Sequence, residues 1–101
     1  MKNIHIVCKS EKKNPPRPVV PKSNHYRSTS WSISDKLAAA IVGGKVFFHQ
    51  GQKEPSYFGG VVTRCEPCDE DRYAIYFDYD PDCTDVKPTC KWSYEIGTEE
   101  V

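Results

Sequence analysis

Residues 43–62, GGKVFFHQGQKEPSYFGGVV, predict the β-hairpin around which the fold is built. Residues 45–50 and 57–64 are both rich in β-branched and aromatic side chains, which favour strands. Gly51 and the turn-forming Glu-Pro-Ser sequence at 54–56 separate these two runs. The pattern therefore predicts two antiparallel strands joined by a loop of several residues.

The second run contains the adjacent glycines Gly59 and Gly60, followed by two valines. A glycine pair within a strand indicates a bulge, a bend, or a group that approaches the backbone closely. On this interpretation the hairpin is the centre of a small curved sheet. The alternative is an ordinary hairpin in which the glycines have no special role.

The remaining elements follow from local sequence signals on either side of the hairpin. Ser34 has the residue type of a helix N-cap, and Gly43 with Gly44 provides a helix stop. The predicted elements are a strand at 3–8, a basic proline-rich loop at 11–24, a hydroxyl-rich loop at 25–33, a helix at 36–42, and strands at 72–79, 86–90 and 92–96. This order predicts one α+β domain spanning 1–101, with a curved or barrel-like, mostly antiparallel sheet and one or two short helices.

Alternating apolar residues predict which side chains each element buries. In the first strand Ile4, Ile6 and Cys8 share one face, whereas His5 and Val7 lie on the other. The other predicted core residues are Leu37, Ala40 and Ile41 in the helix, Val46 and Phe48 in the hairpin, and Tyr73, Ile75 and Phe77 in the strand at 72–79, whose other face carries Ala74, Tyr76 and Asp78.

Composition narrows the class of protein. The 101 residues are 38% hydrophobic with a mean hydropathy of -0.66, which is enough for one modest core. No apolar run approaches the roughly 20 residues of a membrane span, and the N-terminus lacks the pattern of a signal peptide. We therefore expect a cytoplasmic protein.

Charge is distributed unevenly although the formal net charge is zero. Residues 1–53 contain ten Lys or Arg and two acids, whereas residues 54–101 contain four and twelve. A basic surface of this kind favours contact with phosphates. The alternative is that folding interleaves the two halves and leaves no basic face.

Five cysteines in a chain without an export signal predict reduced thiols. Four of them leave open a tetrahedral zinc site with thiolate ligands, because the first pair has the two-residue spacing of a zinc knuckle. The candidate ligands are Cys65, Cys68, Cys83 and Cys90. Free or partly buried thiols are the preferred interpretation, and no cofactor is expected.

Three polar segments are candidates for one ligand site if they converge: the end of the first strand, the loop before the helix, and the hairpin. A tryptophan flanked by hydroxyls suits a flat heteroaromatic ligand, because the indole stacks while short side chains hydrogen-bond the ligand's edge. The alternative for Trp31 is a core tryptophan that precedes a helix. The candidate ligand-binding residues are Lys9, Ser10, Ser30, Trp31, Ser32, His49 and Tyr57, with Thr29 and Ser56 beside them.

The order of these motifs resembles the PUA-like superfamily, and is most similar to its EVE and YTH branches. The resemblance covers roughly residues 3–64 and consists of the strand ending in Lys9-Ser10, the Trp31 segment before a helix, and the aromatic-Gly-hydrophobic strand at 57–61. It implies a pseudo-barrel that reads a modified or flipped-out base, or a nucleotide, in an aromatic pocket without catalysis. Trp31 would form one wall of this pocket, with Lys9, Ser10 and the backbone of 30–32 near the base edge or phosphate, and Tyr57 or Trp92 would complete it.

Two other classes of function stay open. ASCH domains, a further PUA-like branch, include hydrolases of nucleotides or RNA, and His49 with Lys45 or Lys53 offers acid–base groups for such a reaction. Alternatively, the acidic C-terminal half imitates nucleic acid and binds a basic protein partner, as a small inhibitor does. Nucleic acid or a modified nucleotide is the expected partner, and no membrane contact is expected.

Overall fold

A computed structural model gives the protein an eight-stranded mixed sheet and one α-helix, and describes residues 1–8, 17–19, 23–68, 72–88, 90–93 and 96–100. A single 3₁₀ turn, Pro81–Cys83, follows the sixth strand. The elements in chain order are β1 Lys2–Val7, β2 Arg17–Pro18, β3 His25–Trp31, α1 Asp35–Ile41, β4 Lys45–His49, β5 Ser56–Pro67, β6 Tyr73–Tyr79, β7 Lys91–Ser93 and β8 Ile96–Glu100.

The strands follow the order β2-β3-β6-β5-β4-β1-β8-β7 across the sheet. Strand β1 pairs with β4 in parallel, and the other described pairs are antiparallel. The prediction of an α+β fold with a mostly antiparallel sheet is therefore confirmed. Within the described part of the chain the sheet stays open, with β2 and β7 at its edges, so no closed barrel forms.

The central hairpin is confirmed, and the glycine pair has a steric explanation. Strands β4 and β5 pair from Lys45 with Val61 to His49 with Ser56. A Cβ at Gly59 would overlap the carbonyl of Val46 on β4, and a Cβ at Gly60 would overlap the backbone of Asp78 on β6. Close approach of the neighbouring strands therefore requires the glycines, while the bulges lie on either side of them, at Phe48/His49 and Val62/Arg64.

Helix α1 begins and ends where its capping residues predict. The Ser34 hydroxyl accepts a hydrogen bond from the amide of Leu37 at 3.1 Å, which satisfies an amide at the helix start. Gly43 has φ +88°, a left-handed conformation that glycine adopts without strain. The helix buries Ala38 and Ile41, and Leu37 packs partly against the core, so the predicted stripe is correct except that Ala38 replaces Ala40.

The core lies between α1 and one face of the curved sheet. The side chains that alternation predicts in the core from β1, β4 and β6 are all fully buried except Tyr73, which is partly buried and packs against the core. Side chains from the end of β3 and from β5 complete the core. Its members are Ile4, Ile6, Cys8, Trp31, Ile33, Ala38, Ile41, Val46, Phe48, Val62, Ile75 and Phe77.

Three predictions of local structure were wrong. The segment predicted as a hydroxyl-rich loop forms β3 over most of its length, because its backbone pairs with β6 from His25 with Asp78 to Trp31 with Tyr73. The strand predicted at 86–90 does not form in the part of that range that the structure describes, and the strand predicted at 92–96 is replaced by β7 and β8. Periodicity is too weak in these short segments to outweigh the pairing available in the sheet.

Some predictions fall on residues outside the described ranges. These are the ligand candidates Lys9 and Ser10 and most of the basic loop at 11–24, of which Arg17–Pro18 forms β2 at the sheet edge. None of the described helices combines the length and the apolar character needed to cross a membrane.

Candidate functional site

Trp31 lies in the core, at the end of β3. Only 3% of its surface is exposed, and its indole Nε1 donates a 2.7 Å hydrogen bond to the hydroxyl of Ser28. A base stacks on an aromatic ring only where the ring face is accessible. The stacking role of Trp31 therefore stays a prediction that requires the covering side chains to move.

Tyr57, a candidate ligand-binding residue on β5, lies beside the end of β1. It is the bulged residue of β5, and its hydroxyl donates to the carbonyl of Cys8, directly before Lys9 and Ser10 in the chain. Burial, more than the contact with Cys8, raises the pKa of Tyr57, so the hydroxyl keeps its proton. Tyr57 packs against the core cluster that also contains Trp31.

The serines of the predicted site lie on β3, in the loop that follows β3, and on β5. The backbone of Ser30 belongs to β3, whereas Ser32 is exposed between β3 and α1. Ser56 is buried, and its hydroxyl donates to the carbonyl of Cys83 at 2.6 Å. Ser56 therefore supports the 3₁₀ turn rather than facing an open site.

His49, a candidate ligand-binding residue, has no exposed surface. Its Nδ1 is 2.7 Å from the carbonyl oxygen of Glu54, and its Nε2 is 2.8 Å from Nδ1 of His5. Burial lowers the pKa of His49 because desolvation disfavours the imidazolium. With both ring nitrogens engaged, His49 gives no support to the hydrolase alternative.

Trp92 is on the other side of the sheet from the core tryptophan. Its ring meets His49 edge-on at 5.6 Å between centroids and His5 at 6.2 Å. These imidazoles alternate with core residues along their strands, so they project away from the core cluster. Trp92 therefore covers the histidines instead of completing a cage with Trp31.

The four candidate zinc ligands are all described and are not brought together. Among the described residues, no three His, Cys, Asp or Glu side chains are placed to hold a metal ion. Burial raises the pKa of Cys65 to about 11, and burial with the nearby Asp80 raises that of Cys83 to about 11. Cys90 lies beside Gly97 on β8, whereas Cys68 is exposed after β5. Their placement favours free thiols.

A row of basic side chains crosses the sheet face opposite the core. Arg17 on β2 pairs with Arg27 on β3, Arg27 pairs with Tyr76 on β6, and Tyr76 pairs with Arg64 on β5. Directly opposed residues of antiparallel strands point to the same face. The three arginines are exposed, and we call this set, with Tyr76, the arginine row.

Contacts within the row hold its centre in place. The Arg64 guanidinium carbon lies 4.0 Å from the centroid of the Tyr76 ring, a cation–π contact. The imidazole of His25 stacks on the same ring at 5.9 Å between centroids. Two acids balance part of the charge: Glu66 is 3.0 Å from Arg64, and Asp78 is 2.8 Å from His25. Arg17 on β2 and Arg27 on β3 form the other end of the row.

The sequence prediction missed the arginine row because it treated 25–33 as a loop. Strand alternation in His25-Tyr-Arg-Ser would have placed His25 and Arg27 on one face and Tyr26 and Ser28 on the other. The pairing with Arg17 and Tyr76, however, depends on strand order. The structure also interleaves the basic and acidic halves, since β3 pairs with β6 and β1 with β8.

Comparisons with protein-family models, with curated proteins and with solved structures found no match to this chain. The resemblance to PUA-like domains therefore stays a prediction.

Proposed function

We propose that this domain is a non-catalytic nucleic-acid-binding module whose arginine row contacts the sugar-phosphate backbone. The observation that carries the proposal is the alignment of Arg17, Arg27 and Arg64 on one exposed face of four adjacent strands. Arginine is suited to this contact because its planar guanidinium binds phosphate oxygens in a bidentate manner.

The length of the arginine row fits an extended single strand of nucleic acid. Adjacent strands of a sheet are about 4.8 Å apart, so the row from Arg17 to Arg64 is roughly 14 Å long, which is long enough to contact several consecutive phosphates. Arg64 already lies over Tyr76, so a phosphate that draws the guanidinium away would uncover an aromatic ring for a base. The proposed ligand is therefore single-stranded nucleic acid.

Recognition of a modified or flipped-out base beside Trp31, as in PUA-like domains, is the finer part of the proposal. Its support is that Trp31 and Cys8, at the end of β1, belong to the core cluster against which Tyr57 packs. Base binding there requires the indole to be uncovered, because only 3% of its surface is exposed. The arginine row and the Trp31 site are therefore tested separately.

Salt-dependent binding tests the arginine row. Fluorescence anisotropy with labelled single-stranded RNA and DNA gives the slope of log K against log salt concentration. For a single strand, the magnitude of that slope decreases by about 0.7 for each phosphate that the protein no longer neutralises. For the double variant Arg17→Gln/Arg27→Gln we expect a slope smaller by about 1.4 and weaker binding at every sequence.

The matched control is Lys36→Gln, which removes an exposed cation from α1 on the opposite side of the sheet. Its slope and affinity should equal those of the natural chain. Absence of binding to any oligonucleotide at low salt would contradict the proposal. An equal decrease of affinity in the control and the double variant would contradict it as well.

The finer part is tested with oligonucleotides that differ only in one modified base. A preference among them that Trp31→Phe or Trp31→Ala abolishes, while circular dichroism remains that of the folded protein, supports the Trp31 site. Equal affinity for every modified base contradicts base reading and leaves the backbone contact unaffected.

A further inference from the structure

A continuous chain of hydrogen bonds runs through the buried space on the sheet face opposite the core. Glu99 Oε1 on β8 is 2.8 Å from His5 Nε2, and His5 Nδ1 is 2.8 Å from His49 Nε2. The chain ends at the carbonyl of Glu54, 2.7 Å from His49 Nδ1. Both histidines have 0% exposure, while the Glu99 side chain is 26% exposed.

The hydrogen bond to the carbonyl of Glu54 determines which nitrogen atoms of the two imidazoles carry protons. A carbonyl oxygen only accepts, so Nδ1 of His49 carries a proton. Burial lowers the pKa of His49, so the ring is neutral and its Nε2 accepts. His5 Nδ1 must therefore be the donor to His49.

One further proton must lie between His5 Nε2 and Glu99. Without it a carboxylate oxygen would face a nitrogen lone pair at 2.8 Å in a partly buried position, which is repulsive. The proton resides on either His5 or Glu99, and in both cases the Glu99–His5–His49 group is electrically neutral. Loss of this proton gives the group a charge of −1.

We propose that this shared proton is a latch that holds the C-terminal hairpin, β7 with β8, onto β1. Strand β8 pairs with β1 from Lys2 with Glu100 to Ile6 with Ile96, whereas β7 pairs with β8 at the sheet edge. Trp92 of β7 packs edge-on against both imidazoles. Removing the proton at higher pH turns the buried contact from attractive to repulsive and loosens the hairpin.

Further side chains among the described residues surround the latch. Strand β4 contributes Phe47, whose ring stacks on His5 at 4.6 Å between centroids. The Cys90 thiol lies beside β8, and its pKa is raised, first by burial and then by the charge of Glu99. The adjacent pair Lys2–Glu100, 3.4 Å apart, is largely exposed and contributes little.

The test compares three proteins: the natural chain, Glu99→Gln and Glu100→Gln. Glutamine at 99 donates its amide hydrogen to neutral His5 Nε2, so it retains the contact without the extra proton. Glu100→Gln removes the same charge from the same strand without touching His5. Amide hydrogen exchange of residues 96–100, corrected for intrinsic rates, gives the opening equilibrium of the hairpin at each pH.

As the pH rises and the shared proton is lost, we expect the opening equilibrium of the natural chain and of Glu100→Gln to rise about tenfold. That of Glu99→Gln should stay constant. Titration of His49 has the opposite direction: its pKa is lowered by folding, so its contribution to stability is lost as pH falls below about 6.5. The three proteins are therefore compared above about pH 6.5, where this contribution no longer changes.

A second measurement keeps the test valid if a variant unfolds. Nitrogen-15 chemical shifts of the natural chain report the protons on each imidazole. The proposal expects His49 as the Nδ1–H tautomer and a proton between His5 and Glu99 while the hairpin is closed. Neutral His5 beside an ionised Glu99, or the same pH dependence in Glu99→Gln and the natural chain, would overturn it.

Discussion

Replacing Gly60 by alanine tests the strand pairing at the centre of the sheet. A Cβ built at this position overlaps the carbonyl oxygen of Asp78 and lies 2.7 Å from its carbonyl carbon. It also lies 2.8 Å from Cδ2 of Phe77, a fully buried ring. Neither neighbour can move cheaply, because both belong to β6, which is paired on both sides.

The expected cost follows from the kind of atom that must move. Overpacking a core usually costs about 1–3 kcal/mol, and a collision with paired backbone belongs at the upper end of that range. We therefore expect Gly60→Ala to lower the free energy of unfolding by about 3 kcal/mol. With a urea m-value of about 1.5 kcal/mol per molar, the unfolding midpoint falls by about 2 M.

Gly51→Ala is the matched control. The nearest atom to a Cβ at Gly51 is Glu54 Cγ at 3.7 Å, an ordinary contact, and Gly51 does not have positive φ. Its free energy of unfolding should stay within about 0.5 kcal/mol of the natural chain. Urea unfolding followed by tryptophan fluorescence measures both variants. If Gly60→Ala costs no more than Gly51→Ala, the β5–β6 approach described above is incorrect.

Three further predictions concern the helix cap, the thiols and the core tryptophan. Ser34→Ala should lower the free energy of unfolding by about 1 kcal/mol in urea, because it removes the hydroxyl that caps α1; no change would contradict the cap. At pH 8, iodoacetamide should modify exposed Cys68 first and Cys83 only after unfolding, since burial raises the pKa of Cys83 to about 11; mass spectrometry showing equal rates would refute this. Trp31→Phe should cost about 1–3 kcal/mol in thermal unfolding, as it removes the indole donor to Ser28, and a variant as stable as the natural chain would argue against that hydrogen bond.

The elements that local signals specify were predictable. The cap at Ser34 and the stop at Gly43 fixed α1, since capping depends on residues within one turn of the helix end. Alternation located β6 and the buried face of β4, because the period of two follows from strand geometry alone. The glycine pair indicated a close approach, although the sequence did not say which strands approach.

The candidate sites were much less accessible to prediction. The Trp31 site was predicted from the order of motifs along the chain. That order does not indicate whether the indole is exposed, and in the structure neighbouring side chains cover it. The arginine row was missed because it joins four strands, and pairing partners on β2, β3, β5 and β6 are not encoded by the periodicity of any one of them. His5 was predicted only to lie with Val7 on the other face of β1, and nothing local indicated that it is fully buried.

The sequence by itself therefore determined the local elements and the identity of most core residues, because backbone propensity, capping and alternation act over a few neighbouring residues. Only the tertiary structure decided the parallel pairing of β1 with β4 and the joining of His5 to His49 and Glu99, which are 44 and 94 positions away along the chain. Such contacts depend on strand order and register, which the whole chain settles together as it buries its apolar surface and satisfies its backbone hydrogen bonds.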